Sequence, residues 1–340
     1  MKLVSIVIPT NKLSLIWKPL LACIAQQSYS NIEVVLCIDR AIISREFDQI
    51  SKEVHAILDG TGVQISLITT HNTTFVAGRG ASYVRNYAVD VAMGEYVQYM
   101  DDDGVREKDY LWCMIERYKS IHTDIWTDFI ASPTIMYRDT DKIQSQWFEC
   151  IWRGICWPQP HHATDLKSLL VSKIVGQKFK YDLPLVNFWV SCIWAMWLFA
   201  PRALFQVIRF DEQFEFVYED LDMTLRASHA WVPVIVFSDI SIQHMEAPRT
   251  LAQRSYVGSP QMVYYKSRNR IFFIRNNAPL WWKVLFYCFG LWLHLIWFNV
   301  MILLYWTKKF ESWLMLWKGT WDGLLCYKVR NGQNLNGNKK

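Results

Sequence analysis

Along the first hundred residues, short apolar runs alternate with longer stretches of mixed character. Leu3-Val4-Ser5-Ile6-Val7-Ile8 is stopped by Pro9, and Ile32-Glu33-Val34-Val35-Leu36-Cys37-Ile38 ends at Asp39. Val63 to Thr69 and Glu95-Tyr96-Val97-Gln98-Tyr99-Met100 make a third and a fourth run. Their length and their β-branched and aromatic content predict strands. Between them, Ser14 to Gln27 and Ala81 to Met93 read as helices. Strands alternating with helices predict an α/β fold built on a mostly parallel sheet with right-handed crossovers.

Beyond this half the pattern loosens. Roughly residues 105 to 200 are less regular, with Trp147, Trp152, Trp157, Trp189, Trp194 and Trp197 among Pro158, Pro160 and Pro184. Such aromatics are expected in the core or lining a groove. Pro201-Arg202-Ala203-Leu204-Phe205 opens a helix, and Ile240-Ser241-Ile242-Gln243-His244 reads as a strand ending in histidine. Near the C-terminus, Val284 to Trp306 holds no Asp, Glu, Lys or Arg over 23 residues, which is long enough to span a membrane.

Composition supports that last reading. The chain has 340 residues, enough for a large domain with an appendage, and its 52% hydrophobic content includes 18 Trp. Eight of these Trp (281, 282, 292, 297, 306, 313, 317, 321) lie around the apolar segment. Lys266, Arg268, Arg270, Arg275 and Lys283 precede it and Lys308, Lys309 and Lys318 follow, so the positive-inside rule names no outer side. The expectation is a helix or helical hairpin embedded in the cytoplasmic leaflet, with a single span and a buried soluble helix as rivals. Asn331 to Lys340 reads as a polar tail. The eight Cys form no C-x-x-C pair and Met1-Lys2 leads straight into a strand, which points to a reducing, cytoplasmic setting without a signal peptide. The net charge of +5 is modest, and no nucleic-acid partner is expected.

Three places carry candidate chemistry. Asp101-Asp102-Asp103-Gly104 follows the fourth strand, at the edge where open α/β sheets bind ligands. Adjacent carboxylates repel one another unless a hard cation such as Mg²⁺ or Mn²⁺ sits among them; taken alone, such a triplet is more often a solvated turn. Tyr218-Glu219-Asp220-Leu221-Asp222 is either end-charge stabilisation of a helix or the source of a general base. His244 becomes a metal ligand only if the fold brings it to Asp103. No Gly-x-Gly-x-x-Gly or P-loop follows the first strand, so phosphates would be held by a metal.

Taken in order, Ser5-Ile6-Val7-Ile8-Pro9-Thr10, Gly80-Ala81-Ser82-Tyr83-Val84-Arg85-Asn86-Tyr87-Ala88, Gly94-Glu95-Tyr96-Val97, Asp101-Asp102-Asp103, Phe210-Asp211-Glu212 and Glu219-Asp220-Leu221-Asp222 resemble a family 2 inverting glycosyltransferase of GT-A fold. Tyr264-Tyr265-Lys266-Ser267-Arg268-Asn269-Arg270 and Lys318-Gly319-Thr320-Trp321-Asp322-Gly323-Leu324 resemble bacterial rhamnosyltransferases and galactofuranosyltransferases of cell-envelope polysaccharide synthesis. The likeness runs from about residue 3 to residue 325. It implies a nucleotide-diphosphate sugar donor, with Pro9, Thr10 and Asp39 near the base, Arg85 and Asn86 near the nucleotide, and Asp101 and Asp102 on the donor. It implies Mn²⁺ or Mg²⁺ at Asp103, Asp101 and His244, with Asp103 as the direct ligand. Asp220 is implied as the base, and Glu219 as its rival or as a group that positions the acceptor.

The implied activity is transfer of one sugar, rhamnose from a dTDP donor first and galactofuranose from a UDP donor next. The acceptor is a lipid-linked oligosaccharide at the cytoplasmic face of the inner membrane. The implied division is a catalytic domain over 1–245 (donor half 1–104, acceptor half 105–245), a basic and aromatic segment over 246–279, hydrophobic helices over 280–330 and a tail over 331–340. Ile38-Asp39-Arg40-Ala41 departs from the acidic pair usual after the second strand. Gln253-Arg254-Ser255-Tyr256 breaks the Gln-x-x-Arg-Trp spacing, which argues against a processive polymerase. A nucleotidyltransferase with a similar sheet, or a catalytically silent scaffold of an envelope-assembly complex, are the alternatives.

Overall fold

The apolar runs become the centre of a mixed, nine-stranded sheet. In chain order the first half is β1 (Val4–Thr10), α1 (Lys18–Ala25), β2 (Ile32–Ile38), α2 (Ser44–Leu58), β3 (Gln64–Thr69), α3 (Ala81–Val91), β4 (Tyr96–Tyr99), β5 (Gly104–Val105), α4 (Tyr110–Ile125) and β6 (Ile130–Tyr137). Short strands β7 (Gln146–Trp152), β8 (Ile155–Pro158), β9 (Phe188–Val190), β10 (Cys192–Trp194) and β11 (Phe199–Pro201) follow, then α5 (Arg202–Val207), α6 (Glu219–His229) and β12 (Val234–His244). The computed structural model describes residues 1–11, 18–40, 42–70, 79–105, 107–137, 146–152, 155–158, 188–190, 192–194, 197–244, 259–305, 309–325, 329–330 and 333–334. Pro160, Pro184, the stretch 253–256, the start of the first expected helix (14–17) and most of the tail expected over 331–340 lie outside the described residues.

The sheet order is β3-β2-β1-β4-β11-β6-β12-β5, with β9 beside β12. β1 pairs in parallel with β2 and β4, β2 with β3, and β6 with β12. β11 lies antiparallel between β4 and β6, so β1, β2, β4, β6 and β12 end on one edge. β2 is buried at every position, as a strand covered by helices on both faces must be. Each fully buried Val, Ile or Leu stabilises by roughly 1.5–3 kcal/mol, an upper estimate because the unfolded chain already hides some surface. Polar side chains inside this sheet are paired: Glu33 accepts from Ser5 Oγ, from Ser66 Oγ (3.3 Å) and from the Met93 amide (2.8 Å).

Within the middle, the described residues 107–137 form a long helix and a strand. α4 buries Tyr110, Leu111, Met114, Ile115 and Tyr118, and β6 becomes a central strand. Trp197 is in the core.

Among the described residues, four α-helices and a π-helical turn follow: α7 (Pro260–Asn277), α8 (Leu280–Leu285), the π turn over Phe286–Gly290, α9 (Leu291–Tyr305) and α10 (Lys309–Leu325). Ser259 caps α7 by accepting from the Met262 amide, and Pro260 at the first turn loses no helical hydrogen bond. Leu280–Leu304 is one helix long and apolar enough to cross a membrane, with a mean hydropathy of 1.8.

Candidate active site

The acidic triplet lies past the end of β4, on the edge where β1, β2 and β12 also end. β5 returns antiparallel to β12 and sets Gly104 opposite His244, which brings the histidine beside Asp103. Only glycine fits at 104, because a Cβ there would lie 1.5 Å from the Trp197 ring. His244 Nε2 is 3.0 Å from Asp103 Oδ1. One ligand atom each from Asp101, Asp103 and His244 lies within 4.8 Å of the others. Two carboxylates and an imidazole so placed fit Mn²⁺ or Mg²⁺, the imidazole favouring Mn²⁺. Asp102 does other work: it is buried, and Thr10 Oγ1 donates to its Oδ2 at 2.7 Å, tying the triplet to the end of β1. Loss of water raises the Asp101 carboxyl to about 6, against the pull of Arg85 and with a further push from Asp103.

Arg85, on α3, joins this cluster to the second set of acids. Its Nη2 is 3.6 Å from Asp101 Oδ1 and its Nη1 is 3.3 Å from Glu219 Oε1, with the guanidinium buried against Phe210. Glu219 and Asp220 open α6 and are buried. Asp220 Oδ1 accepts from the Leu221 amide at 2.8 Å. Three buried polar atoms here, Arg85 Nε, Glu219 Oε2 and Asp220 Oδ2, lack a hydrogen-bond partner among the described residues. Buried polar atoms are rarely left so, and three together mark a place built to receive a polar ligand. Burial raises the Asp220 carboxyl well above its ordinary range, the Glu219 charge adding to it and the Leu221 amide opposing. Burial also raises Glu219, with Arg85 opposing. A carboxyl group of this kind is a strong base once ionised.

Three side chains able to hold a cation and two buried carboxyl groups thus lie on either side of Arg85, at the edge where the parallel strands end. Residues 5–155 match Glycosyl transferase family 2. The matched family 2 segment contains Thr10, Asp39, Arg85 and the acidic triplet, whereas Glu219, Asp220 and His244 lie beyond it. No curated protein sequence matches the chain. Among solved structures, Staphylococcus aureus TarS is similar at 19% identity and a TM-score of 0.48, over 82% of this chain and 40% of that one. TarS 1–349 is similar at 17% identity and 0.49, over 95% and 81%. The same piece in complex with UDP-GlcNAc is similar at 16% and 0.49, over 97% and 93%. These values describe a likeness of outline and no residue correspondence.

Other residues expected around the donor shape the crevice at the ends of β1 and β2. Asp39 accepts from Thr70 Oγ1 (2.8 Å) and from the amides of Arg79 and Gly80 (both 2.9 Å), while its own amide donates to the Thr10 carbonyl. It therefore draws the end of β2 against the start of α3. Pro9 sits in β1 opposite Cys37, half-buried. The Asn86 amide donates to the Phe210 carbonyl (2.9 Å) and Glu212 Oε1 (3.2 Å) and accepts from the Phe210 amide (3.0 Å), fixing the chain that leads into the acidic turn.

That turn is held by residues that the sequence marked only by resemblance and by charge beside the apolar segment. Val217 and Tyr218 adopt φ of 67° and 75°, a left-handed conformation costly for side chains of their bulk. Asn269 Nδ2 donates to the carbonyls of Phe216 (2.7 Å) and Val217 (2.9 Å). Buried Arg268 donates to the Gln213 carbonyl (3.1 Å) and to Glu215 (3.4 Å), and Tyr265 donates to the other Glu215 oxygen (2.8 Å). Asp222 is ion-paired with Arg226 (2.7 Å) and accepts from Asn277 (2.9 Å). α7 is thus a splint along the turn that delivers Glu219 and Asp220. The one signal in the sequence is an Arg-Asn pair set inside an aromatic helix.

Proposed function

We propose that this chain is a metal-dependent, inverting glycosyltransferase. It moves one sugar from a nucleotide-diphosphate donor to a lipid-linked oligosaccharide at the cytoplasmic face of the cell membrane. The observation that carries the proposal is the bridge made by Arg85, whose guanidinium joins Asp101 of the Asp101–Asp103–His244 cluster to Glu219 beside Asp220. Rhamnose from a dTDP donor is the first candidate and galactofuranose from a UDP donor the second, on the resemblance of the Tyr264–Arg270 and Lys318–Leu324 runs. The proposed layout keeps 1–245 as the catalytic domain and 280–330 as its membrane-associated part.

In this reading Asp103, Asp101 and His244 hold Mn²⁺ or Mg²⁺. The bound ion supplies Lewis-acid neutralisation of the charge that grows on the diphosphate. Asp220 Oδ2 takes the proton of the acceptor hydroxyl as its oxygen bonds to the sugar C1. The C1–O bond to phosphate breaks, and its electron pair leaves with the nucleoside diphosphate. One displacement of this kind inverts the anomeric centre. Arg85 pairs with Glu219 beside Asp220 and opposes the rise that burial imposes on the Glu219 carboxyl.

A thermal-shift panel of nucleotide sugars, each with and without Mn²⁺, tests the reading. One donor is expected to raise the melting temperature only with Mn²⁺, and Asp103→Ala to abolish that gain. Turnover undiminished in excess EDTA, or in Asp103→Ala, defeats the metal role.

A further inference from the structure

By length alone, Leu280–Leu304 could cross a bilayer, yet the fold holds it in place along one side. Leu291, Leu295, Phe298 and Ile302 are buried in one cluster with Val263 and Ile271 of α7 and Leu316 of α10. Halfway along, Arg270 of α7 donates to His294 Nδ1 at 3.1 Å, and His294 is buried. α10 is fixed against α7 in turn: a Cβ on Gly319 would lie 2.4 Å from the Tyr264 carbonyl oxygen, and one on Gly323 would lie 3.0 Å from Ile271 and 3.1 Å from the Arg268 carbonyl oxygen. A small-xxx-small pair such as Gly319 and Gly323 allows this backbone approach. Tyr264 also donates to Asp322 of α10 at 2.8 Å, and Lys318 lies over the Tyr264 ring.

A crossing would therefore carry α7 and α10 into the hydrocarbon with it. Arg270, Lys318, Asp322 and the Arg268–Glu215 pair would then sit at bilayer depth, where charges are strongly disfavoured. The outward faces are of another kind. α9 exposes Trp292, Ile296, Trp297 and Leu303 at helical spacing, and α10 exposes Phe310, Trp313, Trp317 and Trp321. Lys283 and Lys309 stand at the two ends of this double stripe, with Glu311 the one exposed acid on α10. Apolar faces rich in Trp and bordered by lysine match the boundary between acyl chains and anionic headgroups.

We infer that α8 to α10 lie in the plane of one leaflet of anionic lipid, on the same side as the catalytic domain, without crossing it. This deepens the membrane part of the proposed function and rests on it. Because both faces of the assembly are fixed by α7, the catalytic edge keeps one height and orientation over the headgroups. A lipid-linked acceptor then reaches Asp220 by lateral diffusion within that plane.

Sealed membrane vesicles of both orientations, prepared from cells producing the full chain, give the test. Lys283→Cys and Lys309→Cys are each treated with a membrane-impermeant maleimide, and labelled positions are read by peptide mass. Native Cys113, exposed on the catalytic domain, reports that domain's side. The expected result is that Cys113 and both introduced thiols label in the same vesicle orientation. Labelling of the Lys309→Cys site only in the opposite orientation means a crossing and overturns the inference. Recovery of the chain in the soluble fraction as a dimer means that a second copy covers the stripe, and overturns it too. As a second measure, Trp313→Ser with Trp317→Ser should weaken flotation with phosphatidylglycerol vesicles roughly tenfold; unchanged flotation counts against the stripe. Sugar transfer is read in neither assay, so a wrong donor or acceptor leaves both results standing.

Discussion

Near-complete burial and the neighbouring Glu219 carboxylate favour the protonated form of Asp220, against the Leu221 amide that donates to one of its oxygens. The folded protein binds that proton more tightly than the unfolded chain, whose carboxyl stays near 3.8. Any stability gained this way is fully present below about pH 4 and is lost as pH rises through the raised value. Asp220→Asn, which imitates the protonated group, is therefore expected to raise the melting temperature by a few degrees at neutral pH and by nothing near pH 4. The same variant should lower transfer at least about a thousandfold while leaving donor affinity almost unchanged. Calorimetry across pH, beside donor titration, checks both; equal loss of donor binding would remove Asp220 from the role of base. In the unaltered protein only ionised Asp220 accepts a proton. The acid limb of the rate profile should accordingly lie well above the usual carboxylate range.

At the scale of elements, α7 and the turn before α6 form one mechanical unit. The left-handed residues Val217 and Tyr218 persist because Asn269 satisfies the carbonyls that the turn exposes. Asn269→Ala leaves two part-buried carbonyls without this donor, at a cost of about 0.5–1.5 kcal/mol for each lost bond. The turnover number should fall tenfold or more, with donor affinity within about threefold of the starting value, as for a positioning residue. A variant that loses stability but keeps its turnover number would show the clamp to be structural only.

Elements also show how far the sequence could be read. The second strand runs from Ile32 to Ile38 as its mostly apolar run indicates, since a strand buried on both faces draws on apolar residues, with Glu33 tolerated because Ser5, Ser66 and the Met93 amide pair with it. α2 escaped notice since it buries only Ile50, Val54 and Leu58, a stripe too narrow to stand out among charges. β6 was hidden by Ser132, Pro133 and Thr134, which interrupt its apolar run yet lie in a central strand. At the site, the acidic triplet and His244 stood out by residue type as candidates, and their grouping came only from the family resemblance. The turning of Asp102 towards Thr10, and the bridging by Arg85, depend on which strands lie side by side and on how α3 meets α6. One-dimensional pattern does not carry that information.

For the whole molecule, the C-terminal helices are not a detachable anchor. Val263 and Ile271 of α7 are covered by Leu291, Leu295, Phe298, Ile302 and Leu316. A chain ended after Ala278 would expose that face of α7, and with it weaken the support of Glu219 and Asp220. Such a truncation should lower the melting temperature and the turnover number together, even on a water-soluble acceptor and in detergent; a truncated chain with unchanged activity on that acceptor would show the two halves to be independent.

The close fit of Gly319 against Tyr264 also bears on how such a protein can be recombined. A chimera that borrows another transferase's acceptor-side tail must be joined ahead of Ser259, so that both helices of the pair come from one parent. A splice between Asn277 and Leu280 looks convenient because Ala278 and Pro279 form a natural joint there, but it would set an unrelated side chain against a backbone only a glycine can approach.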